Sequence, residues 1–294
     1  MDGCHDETFS PLSGTPTNIA DLWKTAALGN NCTAIGAATR LPGEMRQGRS
    51  ASLARLTTMA TVILVRHGRT TANVSGILAG RTAGVRLDDV GRDQAIRTAQ
   101  RLAAVPVVAV VSSPLERCQQ TSQLILDQQR PQTALSVEND LTECDYGQWQ
   151  GRALGELTQE KLWSTVQAQP SAAVFPGGES LAAMQARSVA AIRRLDAELE
   201  TQHGPGAVWV AVSHGDIIKS ILADALGMHL DLFQRLNVGP ASVSVVTYGA
   251  TRPSVHSTNS DAGDLSWLAS HSPEADAPVG GGAGTQPADS VRAS

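Results

Sequence analysis

A three-layer α/β/α sandwich on a mostly parallel sheet is the fold class this sequence predicts, and three observations carry it. Runs at 61–65, 107–111 and 207–212 are apolar with no polar alternation, as strands buried on both faces must be. Helical periods separate these runs, the alternation from which layered α/β domains are built. Each run also gives way to polar residues at its carboxyl end, where ligands collect in open α/β sheets.

Taken in order, residues 1–58 carry Pro11, Pro16 and Pro42 among many Gly, Ser, Thr and Asn. They show no sustained period and are expected to be disordered. No cationic start leads into an apolar core, so no secretory signal is read there. Met59, directly before the first strand, is the expected natural start. The first strand runs into Arg66-His67-Gly68. Asp88 or Asp89 caps a helix to about residue 104, with Ala95, Ile96, Ala99 and Leu102 on one face. Pro106 punctuates, and the second strand follows. Ser113 with Glu116 three residues on is a capping-box signature, and Pro114 falls at the first helical position of a helix to about 129.

A short strand near 134–137 comes next, then helical residues from 151 to about 166 and a flap-like loop over 170–178. In the long helix over 179–202, Leu181, Met184, Ile192, Leu195 and Leu199 form a core stripe. The third strand ends in Ser213-His214-Gly215-Asp216, a helix runs over 216–226, and a last strand over 242–248 closes the sheet. One domain is therefore expected over 59–250. Residues 251–294, rich in Ser, Ala, Gly, Pro and Asp, are expected to be a disordered tail.

Composition narrows the function classes. With 41% apolar and 17% charged residues the chain can bury an ordinary core, packed mostly by aliphatic side chains because only 3% are aromatic. A net charge of −5 gives no support to a nucleic-acid surface, so any cationic site is local. No apolar run approaches the ~20 residues that span a bilayer. Cys4, Cys32, Cys118 and Cys144 form no Cys-x-x-Cys pair and no metal spacing, which reads as reduced thiols in a cytoplasmic protein.

If the three apolar strands are neighbours, Arg66, His67, Arg117 and His214 converge at one sheet edge. Hydrolysis of a phosphate monoester needs on the order of 20 kcal/mol removed from its barrier. Positive charge gathered around a nucleophile suits that anionic transition state. The sequence has no Gly-x-x-x-x-Gly-Lys-Ser/Thr loop and no metal-ligand cluster, so covalent phosphohistidine chemistry fits better than nucleotide or metal chemistry.

Arg66-His67-Gly68, Ser112-Ser113-Pro114-Leu115-x-Arg117, Glu143-x-x-x-Gly147-x-Trp149-x-Gly151 and Ser213-His214-Gly215 are similar, in order and spacing, to the motifs of the histidine phosphatase superfamily, the phosphoglycerate mutase-like clan. The resemblance covers about residues 60–250. It is greatest to compact, phosphatase-type bacterial members, nearest a group of actinobacterial proteins that carry phosphoglycerate mutase or phosphatase names. It implies that His67 is the nucleophile, and that Arg66, Arg117 and His214 hold the phosphoryl oxygens. Asn73 and the backbone amide of Gly215 are implied as further donors, and Glu143 as the general acid and base. It implies no metal and no cofactor. The implied partner is a small phosphomonoester, with a homodimer allowed and neither nucleic acid nor membrane involved.

Mutases of the clan keep a Lys shortly after their Tyr-Gly pair. Here Leu154 stands where that Lys would fall, and only Arg152 and Lys161 are basic between Gly151 and Pro170. A phosphatase is therefore expected ahead of a mutase, and a non-catalytic phosphate-binding module after both. The leaving-group pocket is expected from the 76–86 loop, residues 143–178 and the stretch around Asn237.

Overall fold

The computed structural model describes residues 60–131, 133–249, 251–263 and 279–282. The chain divides into two units, Met1–Ala51 and Ser52–Ser294, and every described residue belongs to the second. The expectations for residues 1–58 and for Met59 lie outside the described residues.

Six strands form one sheet in the order β3-β2-β4-β1-β5-β6. They are β1 (Thr61–Arg66), β2 (Ala109–Ser112), β3 (Ala134–Val137), β4 (Val208–Ser213), β5 (Val243–Tyr248) and β6 (Pro253–Ser260). β1, β2, β3 and β4 run parallel, while β5 and β6 add antiparallel at one edge. Among the described residues seven α-helices accompany them: α1 (Thr71–Val74), α2 (Asp89–Leu102), α3 (Glu116–Gln128), α4 (Leu154–Leu157), α5 (Lys161–Ala168), α6 (Leu181–His203) and α7 (Gly215–Ala225).

The unalternating strands do what their composition dictates. In β1, Val62 and Leu64 join a core with Trp209 of β4 and with Met184, Ile192 and Ile217 of α6 and α7. Ile63 and Val65 point the other way, into a second core with Ala99, Leu102, Cys118 and Ile125 of α2 and α3. Successive side chains of one strand thus feed two cores, which makes the three layers. Asp88 caps α2 by accepting from the N–H of Gly91 at 2.7 Å. The start of α2 also passes backbone to backbone across the loop after β1. A Cβ on Gly68 would stand 2.2 Å from the Gly91 carbonyl oxygen, and one on Gly91 would stand 1.9 Å from that of Arg69.

Three expectations need correction. Ser113 and Glu116 do not form a capping box. The N-cap of α3 is Leu115, without a side-chain bond, because the Ser113 hydroxyl lies 2.7 Å from His214 Nε2 and the Glu116 carboxylate accepts from the Gly84 N–H. The second strand begins at Ala109, two residues later than its apolar run. The sheet does not close at 248, and the tail from 251 is not without structure. Pro253–Ser260 forms β6, an edge strand held by main-chain pairing to β5, and Val279–Gly281 makes a single 3₁₀ turn.

Candidate active site

Sheet order and register assemble the site before any side chain is considered. β4 lies between β2 and β1, with Arg66 opposite Ser213 and Ser112 opposite Val212. The residues that follow these pairs, His67, His214 and Ser113, therefore emerge side by side at strand spacing, ~4.8 Å. The two imidazole centroids are 5.3 Å apart, edge to face. Arg117, in the first turn of α3, reaches both rings: its Nε–H donates to His67 Nε2 at 3.2 Å, and its Nη2 lies 3.2 Å from His214 Nδ1.

His67 Nδ1 lies 2.7 Å from the Gly68 carbonyl oxygen. A carbonyl only accepts, so the proton belongs on Nδ1 and the lone pair on Nε2, the atom that faces Arg117. Burial, and then the charges of Arg117 and Arg66, hold His67 well below the usual imidazole range. His214 is lowered in the same way, by burial, Arg117, His67 and Arg66. Both rings are therefore neutral at neutral pH. His214 already bonds Ser113 through Nε2, so donation to a phosphoryl oxygen requires a proton at Nδ1, which an arriving anion stabilises.

Arg117 also donates through Nη2 to the Gly80 carbonyl at 2.7 Å. Its Nη1 is buried with no hydrogen-bond partner among the described residues. A buried guanidinium nitrogen left without an acceptor is costly, and an anion in the adjoining pocket satisfies it. That pocket is lined by His67, Asn73, Gly80, Arg117, Glu143 and Tyr146, among others.

Glu143 is 4% exposed, and its Oε1 accepts from the N–H of Cys144 at 3.0 Å. Burial and the nearby Asp216 charge raise it to about 7, against the pull of the Cys144 N–H, Arg117 and Arg66. Asn73 lines the pocket, while its Oδ1 is committed to the N–H and hydroxyl of Thr70. Gly215 is the buried first residue of α7 and is not among the lining residues.

Arg66 is placed differently from the other cations. It is fully buried, and burial lowers it to about 10. Its Nη1 donates to the Val238 carbonyl at 2.8 Å, and its Nη2 to the carbonyls of Gly280 (3.3 Å) and Gly282 (2.7 Å). The segment 279–282 thus sits against the site and lines its pocket, which the sequence reading missed. Asn237 is not among the lining residues; its neighbour Val238 takes part only through its carbonyl.

A buried network behind Glu143 was also missed. The Tyr146 hydroxyl and the Gly280 N–H donate to Asp216 Oδ2 at 2.7 and 3.0 Å, and Lys219 Nζ bonds Asp216 Oδ1 and Gln234 Oε1. The signal was present in the sequence: Asp216 and Lys219 stand three apart in a helix that otherwise holds six Ile, Leu or Ala residues with Gly215, Ser220 and Asp224. Among the described residues, no group of three or more His, Cys, Asp or Glu side chains is placed to hold a metal ion, and no helix is long and apolar enough to cross a membrane.

Two imidazoles and a guanidinium spanning them thus meet at the carboxyl ends of parallel strands, with the Glu143 carboxyl lining the same pocket, on a phosphoglycerate mutase-like α/β/α fold. The chain belongs to the histidine phosphatase superfamily (branch 1), which matches residues 62–261. It is similar to the protein named Probable phosphoglycerate mutase GpmB of Yersinia enterocolitica, 33% identical over 194 residues, covering 65% of this chain and 86% of that one. Among solved structures it is similar to the α-ribazole phosphatase of Shigella flexneri, 28% identical with a TM-score of 0.60, over 68% of this chain and 96% of that one. It is also similar to a mycobacterial glucosyl-3-phosphoglycerate phosphatase in complex with VO3, 26% identical with a TM-score of 0.61, over 68% and 99%.

Proposed function

We propose that this protein hydrolyses small phosphomonoesters through a phosphohistidine on His67. The observation that carries the reading is the tautomer lock. Gly68 holds the Nδ1 proton at 2.7 Å, which leaves the Nε2 lone pair facing the pocket beside Arg117. Nε2 attacks phosphorus and the ester P–O bond breaks. Arg117 and His214 take up the charge on the equatorial oxygens, and Glu143 gives its proton to the leaving alcohol. Glu143, now a carboxylate, takes a proton from water, which attacks the phosphohistidine and releases inorganic phosphate and free His67.

Leu154 and its surroundings favour hydrolysis over a mutase reaction. Leu154 lines the pocket, and Arg152 beside it is paired with Glu160 at 2.7 Å. Among the described residues that line the cavity beside His67, the basic ones are His67 and Arg117. Buried free thiols at Cys118 and Cys144 suit a reducing cytoplasm. The catalytic domain of this reading runs to residue 261, where the family match ends, and the motif resemblance allows a homodimer and points to an actinobacterial source.

The test is phosphate release from a panel of sugar phosphates, phosphoglycerates, nucleotides and phosphoamino acids, without added bisphosphoglycerate. Multiple-turnover release on at least one is expected. Isomerisation of a phosphoglycerate without phosphate release would overturn the hydrolase reading.

A further inference from the structure

The loop after α1 touches both halves of the site through adjacent residues. The Gly80 carbonyl accepts from Arg117, on the phosphoryl side. The next side chain, Arg81, donates through Nε to the carbonyl oxygen of Glu143 at 2.9 Å, on the leaving-group side. Its own N–H bonds Gln150 Oε1 at 2.7 Å.

Arg81 is held in turn. Its Nη2 donates to Glu179 Oε1 at 3.0 Å, and its Nη1 lies 3.6 Å from Asp145 Oδ2. The Glu179 carboxylate also receives the Asp145 N–H at 2.9 Å and both Nη2 and Nε of Arg187. Arg187 Nη2 reaches the Glu143 carbonyl from the other side, at 3.3 Å. Although burial opposes it, the bonds from Arg187 and Asp145 hold Glu179 below the usual carboxylate range, so the clamp is charged at neutral pH. Two guanidiniums thus grip the peptide that carries Glu143, with one carboxylate between them. Nothing in phosphoryl binding requires this grip. It fixes where the Glu143 side chain starts.

We propose that Arg81, anchored by Glu179, is a positioning residue that sets the separation between the Glu143 carboxyl and the phosphoryl pocket. This rests on Glu143 being the general acid. Arg81 couples the two through one peptide unit, because Gly80 and Arg81 cannot move independently. Displacing a proton donor by about 1 Å costs up to ~100-fold in rate, and only where the proton is needed.

The test compares Arg81→Ala, Arg81→Lys and Glu143→Gln in the full chain on two substrates. β-Glycerol phosphate has a leaving group that needs a proton, and p-nitrophenyl phosphate has one that does not. Arg81→Ala is expected to lower kcat/KM, which reads only the steps up to release of the alcohol, on the first by on the order of 10- to 100-fold and on the second by under about twofold. Arg81→Lys cannot reproduce the two-pronged contact and is expected to recover only part of the loss. Equal losses on both substrates, or none on either, would overturn the proposal. Glu143→Gln separates the two readings: if it shows no dependence on the leaving group, the general-acid reading itself fails. If it shows that dependence and Arg81→Ala does not, only the positioning role falls.

Discussion

Glu143 and His67 are driven in opposite directions by the same burial, and that difference sets the pH behaviour. Burial penalises charge, so the carboxyl is raised to about 7 and the imidazole is lowered well below its ordinary range. The reactive form has Glu143 protonated and His67 neutral. As pH rises through about 7, Glu143 loses the proton that the leaving alcohol needs. On β-glycerol phosphate, kcat/KM should therefore fall above about 7, with the rising limb at a pH below ordinary imidazole titration. On p-nitrophenyl phosphate the fall near 7 should be absent. A descending limb on both substrates that survives in Glu143→Gln would assign it to another group. At this scale the sequence was most legible where a motif and a strand end coincide, as at His67 and His214. It was least legible where one residue suits two roles. Ser113 has the chemistry of a cap, and only the sheet order shows that its hydroxyl faces His214.

Elements were legible in proportion to their apolar pattern. β1 and β4 follow theirs to within a residue or two because each is buried along its length, and α6 because it buries one stripe from Leu181 to Leu199. β6 gives no such signal: its side chains alternate between half-buried and exposed, and main-chain bonds to β5 hold it at the sheet edge. The turn Val279–Gly281 is hidden for a related reason. Val279 is 1% exposed and seats in the main core, but it is one apolar residue amid glycines. Gly280 has φ +73°, and a Cβ there would approach Leu78 to 3.0 Å, so glycine suits the close approach. With the turn in place the cavity beside His67 is only about 30 Å³, room for a water or two and not for a phosphate ester. A turn that narrows the cavity this far is expected to compete with substrate. Val279→Asp removes the apolar seat, so KM for β-glycerol phosphate should fall several-fold with kcat little changed. A rise in KM would instead make the turn a wall of the substrate site.

For the whole molecule, the order β3-β2-β4-β1 matters most, because it brings together residues far apart in the chain. The sequence shows three buried strands with polar ends, but not which strands are neighbours. The order comes from the structure, and register then fixes the imidazole spacing without reference to chemistry. In the proposed mechanism this arrangement makes His67 the nucleophile and His214 its helper. The most direct measurement is rapid quenching of the enzyme with ³²P-labelled substrate, followed by mapping of the acid-labile, alkali-stable phosphate. Label is expected on His67, absent in His67→Ala together with turnover, and still present in His214→Ala at much reduced turnover. Label that maps to His214, or that persists in His67→Ala, would contradict the account.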